Sequence, residues 1–152
     1  LVALLAALSP SLAGCGTDPA LLQARSTLAS ATRVVTELDT RAAAGPTAFG
    51  PEVPARLAEP AHATRWEALC AAVAAASQRV EEASVALDLW EAGDSGDLAW
   101  RTVLPCVAQE LAEVRAHLEA LGVPASVALD EALALTASTG ERCGSRRPPA
   151  ER

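Results

Sequence analysis

Three stretches of this chain carry apolar residues in alternating steps of three and four, and that period leaves little choice of fold. Leu21, Ala24, Leu28, Ala31, Val35, Leu38 and Ala42 form the first series. Trp66, Leu69, Val73, Ala76, Val80, Ala83, Leu87 and Trp90 form the second. Trp100, Leu104, Val107, Leu111, Val114, Leu118 and Leu121 form the third. On a helix of about 3.6 residues per turn such positions share one face. Each stripe must then be buried against another, and nowhere does a period-two alternation run long enough for a strand. A shorter fourth helix is expected after Pro124, with Val127, Leu129, Leu133 and Thr136 turned inward. The predicted fold is an all-α, up-down bundle of three long helices plus a shorter fourth. Alanine fills stripe and surface alike, so the Leu, Val and Trp positions carry this reading. The alanines at 24, 31, 76 and 83 would let the first two long helices approach closely.

The helix ends have their own signals. Thr17-Asp18-Pro19 reads as a start, with a capping side chain followed by Pro in the first turn. Gly45-Pro46 reads as a stop. Thr64-Arg65-Trp66-Glu67 has the pattern of a capping box, Asp94-Ser95-Gly96-Asp97 that of a turn, and Gly122 that of a helix end. Pro105 either kinks the third long helix or marks its first turn. Between the first two long helices lies GPTAFGPEVPARLAEPAH, residues 45–62, with four prolines. It is longer than the usual bundle connection, so two readings stand: a Pro-rich spacer, or an interaction loop pinned to the bundle by Phe49.

The amino terminus reports an address rather than a fold. Residues 1–14 are uncharged and mostly apolar, ending at Leu12-Ala13-Gly14-Cys15. The run is too short to span a bilayer and matches the apolar region of a secretory signal. The tetrapeptide resembles the lipobox of bacterial lipoproteins. That resemblance implies cleavage before Cys15, a diacylglycerol on its thiol and acylation of the new amino group. Two or more acyl chains anchor stably where one is marginal. With Gly16 after the cysteine, the resemblance implies the periplasmic face of the outer membrane in a diderm cell. No Met and no basic segment precede the apolar run, so the true start is expected upstream. The organisation read from the sequence is a truncated signal peptide at 1–14, a lipidated tether at 15–18, the bundle at 19–139 and a loose tail at 140–152.

The remaining composition limits function more than it assigns one. There are 12 basic and 19 acidic residues, a net charge of −7, which argues against a nucleic-acid partner. Lys, Ile, Asn, Met and Tyr are absent, a coding bias rather than a mechanistic clue. Apart from Cys15 the chain has Cys70, Cys106 and Cys143. In an up-down bundle Cys70 and Cys106 fall at opposite ends. Cys106 and Cys143 each lie roughly 25 Å from the turn near residue 123, at about 1.5 Å per residue, so they can meet. A bridge there contributes on the order of 3–4 kcal/mol; the alternative is three free thiols. Cys70 beside the second stripe reads as a buried, inert thiol.

No phosphate loop, CxxC pair or haem motif is present, and no cofactor is expected. Cys70, His62 and His117 fall at the end away from the tether and form a speculative metal or ligand set, against a reading of His117 and Glu113 as a surface pair. Glu81, Glu82, Asp88 and Glu91 read as a solvated acidic flank, and Ser77 and Ser84 have no base beside them. Arg142, Arg146, Arg147 and Arg152 are candidates for contact with anionic headgroups. The expectation is a non-catalytic envelope lipoprotein whose helical surface meets a protein partner. The competing expectation is a small-ligand or metal-binding bundle at the membrane surface, and an enzyme ranks behind both.

Overall fold

The computed structural model describes residues 19–93, 99–138 and 143. Five α-helices follow one another: α1 (Pro19–Ala44), α2 (Val53–Leu57), α3 (Arg65–Glu91), α4 (Ala99–Ala120) and α5 (Val127–Ala137). No strand occurs among the described residues. The packing runs from α1 to α3, α3 to α4, α4 to α5 and back from α5 to α1, with α3 against α4 the most extensive contact. Arg25 near the start of α1 meets Asp88 and Glu91 at the end of α3. Arg115 late in α4 meets Asp130 early in α5. The neighbours are therefore antiparallel, and the fold is an up-down helical bundle. Its basal end holds the starts of α1 and α4. Its apical end holds the connection between α1 and α3 and the turn between α4 and α5.

The core is the set of stripes. On α1, Ala24, Leu28, Ala31, Val35 and Leu38 are buried, while Leu21 and Ala42 at its ends are half-buried. Val34 and Thr27 join them, widening the stripe from two positions per heptad to three. On α3 the same widening adds Ala72 and Ala86. Every residue of the third series, from Trp100 to Leu121, is buried. Fully burying one Leu or Val contributes about 1.5–3 kcal/mol, so these stripes dominate the fold.

Three expectations about helix ends and faces are corrected. Thr64 precedes α3, but its side chain makes no capping hydrogen bond and its backbone is already helical, so no capping box forms. Val127 is 74 % exposed instead of inward. The inward face of α5 is Leu129, Ala132 and Thr136, and a residue two before Leu129 points about 200° away on a helix of 100° per residue. The N-cap of α5 is Ser126, whose hydroxyl accepts from the Leu129 amide at 3.2 Å. Pro105 lies inside α4, six residues past its start, so it is not the first turn. Having no N–H, it leaves the Arg101 carbonyl without its usual intrahelical donor. Gly122 does end α4: its N–H donates to Glu119 and that of Val123 donates to Leu118, a Schellman closure with Gly122 at φ +72°.

No helix among the described residues is long and apolar enough to cross a membrane. Cys15, the tether, the predicted turn at 94–97 and Arg142, Arg146, Arg147 and Arg152 lie outside the described residues.

Candidate functional site

The apical end is built from the Pro-rich connection. This segment is not a structureless spacer: Pro46–Phe49 forms a 3-10 turn and Val53–Leu57 forms α2, with Pro54 in its first turn. Gly45 turns the chain out of α1 at φ +95°. Phe49 and Val53 are then directed into the core, 8 % and 1 % exposed. The Phe49 ring meets Trp66 edge-on at 5.8 Å, and the Arg41 guanidinium lies over the Phe49 ring, 5.8 Å from its centre. Phe49 therefore serves as an anchor, and the outer surface of the connection is made by other residues. Arg56 of α2 lies against Gly122, where a Cβ would stand 2.5 Å from the guanidinium carbon. A side chain at this position would push the end of Arg56 aside, and the φ of +72° is what favours glycine here.

The Cys/His set is not assembled as a metal centre. Among the described residues no group of three or more His, Cys, Asp or Glu side chains is placed to hold a metal ion. Cys70 is free and half-buried on α3, and burial pushes its thiol pKa up, which disfavours the reactive thiolate. His62 sits before α3 with Nε2 3.7 Å from Glu59. Its Nδ1 and that of His117, in the last turn of α4, are enclosed without a hydrogen-bond partner. The acidic flank of α3 is partly engaged in ion pairs. Glu82 pairs with Arg79 at 2.6 Å, and Asp88 and Glu91 both receive Arg25 Nη2, at 2.6 Å and 2.5 Å. Hydrogen bonds from Arg25 to Glu91 and then Asp88 raise the guanidinium pKa above its ordinary value.

At the basal end Cys106 and Cys143 form a disulfide across a sequence separation of 37, their Cα atoms 4.7 Å apart. The bridge ties the chain beyond α5 to α4, as the length count from the apical turn requires. Here also the Trp90 and Trp100 rings meet at a tilt of 44°, 5.8 Å between centres, and the Arg101 guanidinium lies 5.2 Å from the centre of the Trp100 ring. A cavity of about 240 Å³ opens beside them, between the start of α1, the start of α4 and the end of α5. Its polar lining is Gln23, Thr27, Arg101 and Ser138; Ala20, Ala24 and Trp100 supply the apolar part. Trp100 Nε1 and Arg101 Nε are enclosed and have no hydrogen-bond partner. Each such donor costs about 1–3 kcal/mol when left unmade. Thr27 and Thr136 are the buried polar residues of the described chain. Thr136 is satisfied within α5 by donating to the Ala132 carbonyl at 2.7 Å, whereas Thr27 lines the cavity.

The sequence offered a signal for this site that the search for stripes passed over. Trp100 was readable as a core position and Arg101 as an ordinary surface charge. An Arg adjoining a buried Trp in a helix start that contains no acid was the available clue.

Two outer surfaces complete the inventory. A shallow groove between α4 and α5 is floored by Ala108, Ala112, Ala116 and Ala134 and flanked by the Arg115–Asp130 pair. On α3, Val85 and Leu89 are 53 % and 43 % exposed beside Gln78 and Glu81. No protein family, curated protein or solved structure matches this chain.

Proposed function

We propose that this chain is a membrane-anchored envelope lipoprotein, held through Cys15 and acting as a non-catalytic helical module that presents its surface to a protein partner. What supports an interaction module over a metal-binding bundle is the dispersal of the candidate ligands. Cys70, His62 and His117 form no convergent ligand set among the described residues, while the apical end is filled by Phe49 and Val53. The anchor rests on the lipobox-like Leu12-Ala13-Gly14-Cys15. The net charge of −7 favours a protein over a nucleic-acid partner.

Expression in a bacterial host with and without globomycin, followed by mass spectrometry of the mature amino terminus, tests the address. The expected product begins at Cys15 and carries a diacylglycerol and an N-acyl group. A mature chain with a free, unacylated Cys15 removes the proposal. The competing reading, a small-ligand bundle, is favoured by one observation: the basal cavity between α1, α4 and the end of α5.

A further inference from the structure

We propose that residues 144–152 of this chain dock along the outer face of α3, with Arg146 and Arg147 against its carboxylates and Pro148 and Pro149 over Val85 and Leu89. The inference depends neither on lipidation of Cys15 nor on a partner protein.

The surface has two matched properties, apolar area and negative charge. The large apolar residues exposed among the described residues are Leu22, Val85, Leu89, Val127 and Leu135, and of these only Val85 and Leu89 stand one helical turn apart. They are 53 % and 43 % exposed and continue a ridge that begins one turn earlier at Glu81. The shallow groove along this ridge also takes in Gln78, Glu82 and Ala86. Arg79 pairs with Glu82 at 2.6 Å and reaches Glu110 of α4 at 3.8 Å. Glu81, and Glu113 on the turn of α4 after Glu110, are exposed and have no ion pair among the described residues. One arginine therefore stands among four carboxylates beside an uncovered apolar strip.

The disulfide brings the occupant to this place. The contact of Arg79 with Glu110 and the meeting of Trp90 with Trp100 fix the antiparallel register of α3 and α4. In that register Cys106 is level with the turn of α3 between Glu82 and Val85. Cys106 also lies one turn before Glu110 on α4, so it borders the side that faces α3. Cys143 is bonded to Cys106, and the sequence goes on from there as GSRRPPAER. This segment has three arginines and one glutamate, in a chain whose net charge is −7. Gly144 and Ser145 span up to about 7 Å, close to the roughly 8–10 Å between packed helix axes, so Arg146 and Arg147 come over α3. Pro148, Pro149 and Ala150 in polyproline geometry extend about 9 Å, enough to cover the ~6 Å between Val85 and Leu89. A segment tied down at the groove is present at a roughly millimolar effective concentration, so ion pairs worth less than about 1 kcal/mol each act together with the apolar contact.

The test is nuclear magnetic resonance of the full, oxidised chain. The readout is cross-relaxation between the ring protons of Pro148 and Pro149 and the methyl groups of Val85 and Leu89. The methyl groups of the fully buried Leu111 report the fold. The expected result is a set of such cross-peaks that does not depend on protein concentration. Arg146→Glu together with Arg147→Glu abolishes them, and adding Glu81→Arg to that chain restores them in part. Arg33→Gln, an exposed charge on α1, leaves them unchanged. All these positions are exposed or lie beyond the helices, so the Leu111 signals stay in place.

Absence of the cross-peaks overturns the proposal, and so does their survival in the doubly reversed chain. Cross-peaks that fade on dilution assign the face to a second copy of the chain and overturn it as well. If the cross-peaks are absent and Arg146 and Arg147 respond to vesicles of phosphatidylglycerol in phosphatidylcholine, the segment belongs to a membrane surface instead.

Discussion

The two ends of this bundle are made of the same helices and the same alanine-rich stripes, yet they finish differently. At the apical end Phe49 and Val53 enter the core and Arg56 occupies the space that Gly122 leaves open. At the basal end Trp100 is equally buried, but it lies beside a cavity, and its indole N–H and the Arg101 Nε have no partner. One end is closed by apolar side chains from a long connection. The other is held by a disulfide and an ion-pair cluster and leaves a cavity between three helices. Both ends enclose nitrogens without a hydrogen-bond partner, His62 Nδ1 and His117 Nδ1 at the apical end and Trp100 Nε1 and Arg101 Nε at the basal end, so what separates the ends is how completely the space is filled.

The largest expected effect comes from removing the basal staple. Replacing Cys106 and Cys143 by Ser costs about 4 kcal/mol by the loop-closure argument, measured by urea unfolding. Hydrogen exchange is expected to speed up in α5 and the start of α4 while the apical amides keep their protection. Uniform loss across both ends would erase the distinction between them.

Next comes the apical anchor. Phe49→Ala is expected to cost about 3 kcal/mol, since the ring is buried and faces Trp66. Trp66 fluorescence should report the opening, and the basal Trp100 resonance should not move. A cost below about 1 kcal/mol would mean that the connection is dispensable to the core.

Gly122→Ala probes the same end from the other side. It forces a side chain into φ +72° and against the Arg56 guanidinium, at an expected cost of about 2 kcal/mol. If Arg56→Ala in the same chain does not reduce that cost, backbone strain accounts for all of it and the Arg56 contact for none.

The smallest effect is at the basal ion pairs. Arg25→Gln is expected to cost less than about 1 kcal/mol, because the side chain is 33 % exposed, and the loss should shrink further in high salt. A salt-insensitive loss of several kcal/mol would show that Arg25 holds the basal end together more than the disulfide does.

Much of the fold was legible because periodicity is a local property. The steps of three and four placed Leu28, Val73, Leu111 and their neighbours on the buried faces, and Gly122 ended its helix where expected. The pairing of Cys106 with Cys143 followed from counting residues along two antiparallel helices. Other features were less accessible. The helix α2 was hidden by the prolines around it, although Pro54 at a helix start was its signal. Val127 was misplaced because Val is apolar wherever it sits, and only the true face of α5 decided its direction. Thr64 offered the right residue for a capping box, but its backbone took helical angles that preclude one. The proposed Cys70, His62 and His117 set was legible only as a coincidence of end, which says nothing about where side chains point.

The sequence by itself determined the rods, their apolar faces, most of their ends and which two thiols can meet, since each depends on residues within a few turns or on helix length. Tertiary structure alone decided that Trp100 and Arg101 are enclosed together without acceptors. That outcome needs three walls, from α1, α4 and α5, brought to one place by packing across the whole chain. A donor's satisfaction is settled by neighbours distant in sequence, and no local pattern encodes them.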